Sequence, residues 1–514
     1  MLLDSTGPQR PSLSLARTRR ASLLLLALLV FAGFSFPGIT LLRDLNDPAL
    51  SGPGIPRHAI SLHRDLTDRF TTWARARVAS RAAAGASLHD VPSTEWPMFS
   101  AVFYLLGTVE LERAAQAGLI SADEAPMRYA APAVEAARAL LIDPVEHTWV
   151  RTHWGDDYLH RQNVFFRALL IAGLAAHAEL THDGTSLPML RDQVETLAAD
   201  LDGSKFGILD DYPGECYPID VLATVGFIRR ADRVLGTDHS AFVARELRAF
   251  SGDRADRFGL PRFRVALPSG AEVQPSRGIG TSWSLVFAPE LWPERSARWY
   301  STYEANFWDD HGWAAGFREY ARGTEADWTF EIDAGPVFDG FGTAASAFGI
   351  AAARRNGRFD HAFTLSTELA AASWPLPGGT LMLPRAISHA ADAPYLGEAA
   401  ILYFLTVQPV EGLPLVKGGR IPGSVWFALF VYFGVTALLL GALFRERRVV
   451  APRSTPGELL LAMGLLGLLA VSLSFAGHAA AGLLTGVVAL LVPFTVKVPL
   501  QAGTGANRDS GVPS

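Results

Sequence analysis

The segment Asp210-Asp211-Tyr212-Pro213-Gly214-Glu215-Cys216-Tyr217-Pro218-Ile219-Asp220 holds four carboxylates, one thiol and two phenols. Proline suits a first helical turn, so a helix is expected to start near Pro218. A helix cap needs one of these acids, not all of them. Clustered carboxylates raise one another's pKa by like-charge repulsion, and apolar walls raise them further. One acid can then stay protonated beside an ionised partner, which is what general acid–base catalysis requires. Asp211 and Asp220 are the expected catalytic pair, with Glu215, Cys216 and Tyr217 beside the substrate.

Three other segments could contribute. His153-Trp154-Gly155-Asp156-Asp157-Tyr158 leads to Arg161-Gln162-Asn163 and reads as a site wall or as a helix cap. Between Phe330 and Phe348, Glu331, Asp333 and Asp339 alternate with Gly335, Gly340 and Gly342, glycines that also suit a tight turn. Trp313, Phe317, Glu319 and Tyr320 precede that stretch and could line the same rim. Ser93-Thr94-Glu95-Trp96-Pro97 reads first as an N-cap. His153, Trp154, Asp156, Glu319, Tyr320 and Asp333 are therefore expected substrate contacts. No H-E-x-x-H, paired cysteine, P-loop, dinucleotide fingerprint or G-x-S-x-G occurs, so neither a metal nor a cofactor is expected. Cys216 is the single cysteine, and no intramolecular disulfide can form.

The elements that must position these groups are helical. Apolar residues recur at i, i+3, i+4 over about 59–84, 98–117, 123–141, 160–182, 187–200, 217–235, 238–252, 281–290, 293–307, 340–356, 359–371 and 393–407. Strand-like alternation is confined to short pieces such as Arg262–Val273. The helices come in pairs without the fixed repeat of a solenoid. The expectation is an all-α domain over 45–415, an (α/α)6 toroid whose inner helices point one end at a central cavity.

The chain has 514 residues, 49% of them apolar, a mean hydropathy of +0.19 and a net charge of -6. The apolar excess lies outside 45–415. A first span is expected at 21–42, behind the basic lead Arg17, Arg19 and Arg20 and a cytoplasmic N-terminus at 1–20; a cleaved signal peptide is the rival reading. Further spans are expected at 424–444, 457–476 and 479–496, with a basic loop over 445–456 and a tail at 497–514. Basic residues stay cytoplasmic. Arginines at both the N-terminus and the 445–456 loop put the large domain on the outer side of a cell membrane that the chain crosses several times. The spans carry almost no charge, so nothing marks an ion path. The central domain has no Lys/Arg cluster, which argues against nucleic acid as a partner.

Several stretches, in order, resemble the linalool dehydratase-isomerase family over roughly residues 98–375. They are Phe99-Ser100-Ala101-Val102-Phe103-Tyr104-Leu105-Leu106-Gly107; Trp154-Gly155-Asp156 followed by Gln162-Asn163; Asp211 to Asp220 leading into Val234-Leu235-Gly236-Thr237-Asp238; Thr281-Ser282-Trp283-Ser284-Leu285, which adds Trp283 to the substrate contacts; and the turn from Gly340 to Phe348. The resemblance implies an (α/α)6 barrel, cofactor-free acid–base chemistry on a small alcohol, and a periplasmic homo-oligomer with its site between subunits. Two family cysteines match Asp211 and Asp220 here, and the family's catalytic histidine falls at Leu169.

Three functions are open at this point. A lyase or isomerase would act on a hydroxylated, lipidic or terpenoid small molecule drawn from the bilayer. A carbohydrate-active enzyme would use the carboxylates on envelope glycans. A non-catalytic envelope scaffold would leave Asp211 and Asp220 salt-bridged or exposed.

Overall fold

The computed structural model describes residues 22, 25–86, 91–324, 328–331, 333–377, 379–390 and 393–446. The expected N-terminal segment 1–20, the spans at 457–476 and 479–496 and the tail at 497–514 lie outside the described residues, as does the 445–456 loop beyond residue 446. The chain divides into two compact units, one of residues 1–36 with 430–514 and one of residues 37–429.

Three helices are long and apolar enough to cross a membrane: Leu25–Leu45, Val164–Thr181 and Gly423–Gly441. The helix at Val164–Thr181 has another explanation, because 83% of its apolar window is buried against protein. The other two show 39% and 22% buried, the signature of faces left for lipid. Within the smaller unit, Leu26 and Val30 bury against Leu29, Leu439 and Leu440. There Ser35 Oγ donates to Thr436 Oγ1 at 3.0 Å, a polar contact between apolar helices. A π-helical turn at Phe31–Ser35 interrupts the first of them.

The larger unit is mostly helical. Its chain order is α1 (Arg57–Ser80), α2 (Trp96–Gln116), α3 (Ala131–Leu141), α4 (Thr148–Trp154), α5 (Val164–Thr181), α6 (Leu187–Gly203), α7 (Pro218–Leu235), α8 (Ser240–Glu246), α9 (Gly278–Leu291), α10 (Pro293–Phe307), α11 (Thr343–Arg355), α12 (Phe359–Ser373), α13 (Met382–Ala390) and α14 (Leu396–Thr406). α2, α5, α7, α9, α11 and α14 form one set. Each packs on the next, and α14 returns to pack on α2. α2, α5, α9 and α14 are mostly apolar on both faces because both are covered, whereas α7 and α11 carry arginines toward their C-terminal ends. α1, α3, α6, α10 and α12 pack outside them and are amphipathic; α1 buries Ala59, Leu62, Leu66, Phe70 and Ala74 at helical spacing. Close approach within the inner set depends on small residues. A Cβ on Gly226 of α7 would sit 2.7 Å from Phe287 of α9, and one on Gly107 of α2 would sit 2.9 Å from Leu402 of α14.

The expected all-α domain has one departure. The loops leading into α9 and α11 fold as small antiparallel sheets. β1 (Arg264–Ala266) pairs with β2 (Ala271–Gln274), β3 (Trp308–Asp310) with β4 (Ala315–Phe317), and β5 (Trp328–Glu331) with β6 (Gly335–Phe338), which pairs with β7 (Phe341–Gly342). The stretch expected as a helix from residue 340 is thus a strand edge, and α11 starts only at Thr343.

Candidate acid cluster

Asp211 is 1% exposed and joins two helix starts. Its Oδ2 accepts the Tyr217 N–H at 2.9 Å, just ahead of α7, and the Phe165 amide in the first turn of α5 also hydrogen-bonds to it. The Pro213–Gly214 turn folds the loop back on itself: the Glu215 N–H donates to Tyr212 O at 2.8 Å, and the Asp211 N–H to Glu215 O at 2.8 Å. Gly214 takes φ +85, a conformation that favours glycine. Asp211 Oδ1 is buried without a well-formed hydrogen bond. Burial, then the nearby Asp220 charge, hold the Asp211 carboxyl well above the usual range, against the pull of the two amides.

Asp220 stands in the first turn of α7. Burial and the charge of Asp333 push it up to about 7, opposed by a hydrogen bond from Trp283. Trp283, on α9, is 6% exposed and meets Phe99, Phe103, Phe287 and Phe348 edge-on, so an aromatic wall lies beneath the acids. Neither Asp211 nor Asp220 forms an ion pair among the described residues.

A third acid completes the cluster. Glu95 was expected to belong to an N-cap. It does occupy the N-cap position of α2, but its side chain makes no capping hydrogen bond. Instead it is 6% exposed and accepts a short hydrogen bond from the Tyr212 hydroxyl, on the acid loop itself. Burial, then the charges of Asp333 and Asp220, keep Glu95 well above the ordinary carboxylate range. Tyr212 also meets His153 edge-on, with ring centroids 6.2 Å apart. Sequence reasoning missed Glu95 and Tyr212 as site residues. The available signal was an acid immediately before Trp96-Pro97, which a cap satisfies equally well.

The remaining candidates fall into distinct places. Asp333 is solvent-exposed at the turn between β5 and β6, yet close enough to bear on Glu95 and Asp220. Glu319 is fully buried, pairs with Arg277 Nε at 2.8 Å and accepts the Ile279 N–H at 3.2 Å, tying down the start of α9. Burial raises it to about 7, against the attraction of Arg277. Arg277 also pairs with Glu331, to which the Tyr320 hydroxyl donates at 2.6 Å, so Glu319 and Tyr320 support the rim rather than face the acids. Tyr217 donates to Glu215 Oε2 at 2.7 Å, and Glu215 lies 3.4 Å from Arg264. Trp154 lines a separate open pocket of about 750 Å³ with Arg161, Asp200, Lys205 and Phe206. Asp156 neither lines the cluster nor caps a helix: its side chain is fully exposed, 3.9 Å from Arg151. Leu169 is 2% exposed in the core.

Cys216 is fully buried, and its backbone bridges to Val265. Burial and the surrounding acids push its thiol far above the ordinary value, so it is not a nucleophile at neutral pH. Native protein is expected to resist Ellman's reagent and to release one thiol on denaturation. Rapid labelling of the native state would overturn this placement.

No family model matches the chain, and no curated protein matches it.

Proposed function

We propose that the chain is a membrane-anchored enzyme of linalool dehydratase-isomerase type, which removes water from a small hydrophobic alcohol or moves its hydroxyl along an allylic unit. The observation that carries this reading is the acid set of buried Asp211 and Glu95 with half-buried Asp220, unpaired by any cation among the described residues and walled by aromatic rings. The cyclic packing order of α2, α5, α7, α9, α11 and α14, with partners outside, supports an (α/α)6 toroid. The acids lie at the N-terminal ends of the inner helices: Glu95 before α2, Asp211 on the start of α5, Asp220 in α7. Helix N-termini favour the ionised form of such groups while burial opposes it.

In this mechanism Asp211, the more deeply buried acid, is protonated and gives its proton to the substrate hydroxyl. The C–O bond breaks, taking both electrons with oxygen, and water leaves. Ionised Asp220 removes a proton from the adjacent carbon, and those C–H electrons become the new double bond. The proton on Asp220 then passes back to Asp211, closing the cycle without a cofactor. Incubation of the purified protein with short terpenoid and prenyl alcohols should yield alkenes with loss of water, read by gas chromatography. Release of reducing sugar from envelope glycans, with no alkene, would instead favour the glycan reading, for which the Trp154 pocket is the supporting feature.

Four apolar runs support four membrane spans, and the charge pattern at the N-terminus and the 445–456 loop supports an outer location for the domain. A reporter active only in the periplasm, fused after Gly418, should be active, and the same reporter fused at Pro452 should be silent. The reverse pattern would invert the topology.

A further inference from the structure

At the other end of α5, away from Asp211, three side chains from separate segments converge. Glu135 comes from α3, His177 from the last turns of α5, and Asp183 from the loop that follows. One potential ligand atom from each lies within 4.8 Å of the others, the only such His/Cys/Asp/Glu group among the described residues. The His177 ring is fully buried. Its Nε2 lies 2.7 Å from Glu135 Oε1, and its Nδ1 meets no partner. The ring is therefore held in place by one contact, from a group that also binds metals. Asp183 is fixed through Oδ1, which accepts the Thr185 N–H at 3.0 Å and the Thr185 hydroxyl at 2.6 Å. Arg138 Nε holds Glu135 through Oε2 at 3.1 Å, leaving Oε1 turned to His177.

We propose that Glu135, His177 and Asp183 form a divalent-metal site that ties α3 to the end of α5. One imidazole and two carboxylates suit Zn²⁺ or Mn²⁺. Metal–ligand bonds of about 2.0–2.2 Å place ligand atoms roughly 3.4 Å apart, so a bound ion would open the 2.7 Å contact between His177 Nε2 and Glu135 Oε1 and draw in the third ligand atom, now within 4.8 Å, by side-chain adjustments of about 1 Å. The C-terminal end of α5 adds partial negative charge, which favours a cation. Three protein ligands leave a position for water. The sequence showed no metal motif because the ligands come from three segments, with Glu135 and His177 42 positions apart.

The test is zinc binding by the full-length protein in detergent, stripped of metal and titrated with Zn²⁺ against a fluorescent chelator. The wild type should take up one equivalent. Glu135→Gln and Asp183→Asn, both outside the core, should each weaken that uptake at least about 10-fold, as loss of a ligand must if even outer-shell changes reach that range. Circular dichroism checks that both variants remain folded. No stoichiometric uptake by the wild type, or uptake that either variant leaves unchanged, would overturn the site.

Discussion

Asp220→Asn is expected to abolish turnover and, at pH 8, to stabilise the protein by about 2 kcal/mol. The carboxyl is pushed from 3.8 to about 7 in the folded state, first by burial and then by the charge of Asp333. A raised pKa means that the folded state holds the proton more tightly than the unfolded chain. The stability it contributes is complete below pH about 4 and is lost as pH rises through about 7. At pH 8 the folded protein carries an ionised acid facing Asp333 with no cation to compensate it. Raising the carboxyl from 3.8 to about 7 corresponds to about 4 kcal/mol. Half of that is a reasonable expectation, because Asp220 is partly exposed and asparagine is itself polar. Asparagine can still accept from Trp283 but cannot take a proton, and losing a general acid or base costs about 10²–10⁴ in rate. Asp211→Asn should shift both properties in the same direction, since asparagine keeps an acceptor for the Tyr217 N–H. Denaturant midpoints at pH 4 and pH 8, followed by tryptophan fluorescence, read the stability change directly and need no substrate. A variant less stable than wild type at pH 8 would show that Asp220 is a structural ion rather than a strained acid.

The helices of the larger unit were legible because each buries a stripe or a whole surface, and burial imposes a period. Limits at 187, 293 and 359 match the helices that start there. α4 and α13 were missed because they are short, and their apolar residues complete too few turns to show a period. The hairpins β3–β4 and β5–β6 were missed for a related reason: strands of three or four residues among glycines and aspartates carry no alternation. The acid loop stood out because four carboxylates before one helix exceed what capping uses. Glu95 was assigned to a cap because its local sequence fits one. The group that makes it a site residue, the Tyr212 hydroxyl, lies 117 residues away and no local pattern reports it. Asp156 failed in the opposite sense: it sits in a promising string of residues, and its side chain simply faces solvent.

The C-terminal ends of the inner helices should respond to mutation and pH with the opposite sign. Glu290, in the last turn of α9, lies 3.1 Å from Arg230 of α7, 3.5 Å from Arg355 of α11 and 3.6 Å from Arg233. Arg230 and Arg355 are only 8% and 6% exposed at the side chain, so their charges depend on protein partners. Burial would raise Glu290, but Arg230, Arg355 and Arg233 outweigh it and hold the carboxyl far below its ordinary range. Glu290→Gln keeps the volume and removes the charge. Arg355 would retain Glu110 at 3.4 Å, while Arg230 would keep the Tyr403 hydroxyl at 3.4 Å, the Phe287 ring face and the more distant Glu110 charge, but no direct carboxylate partner. Breaking a buried pair in this way typically costs about 3–5 kcal/mol, because a desolvated guanidinium is left uncompensated. A depressed pKa contributes stability above the unfolded value and loses it as pH falls through the folded value. The penalty of Glu290→Gln should therefore be full at pH 7 and shrink below about pH 4, where wild-type Glu290 begins to lose its own advantage. Denaturant midpoints over that range measure it. A cost below about 1 kcal/mol at pH 7 would mean that water reaches Arg230 and screens it, and that the inner helices are not closed at this end by charge.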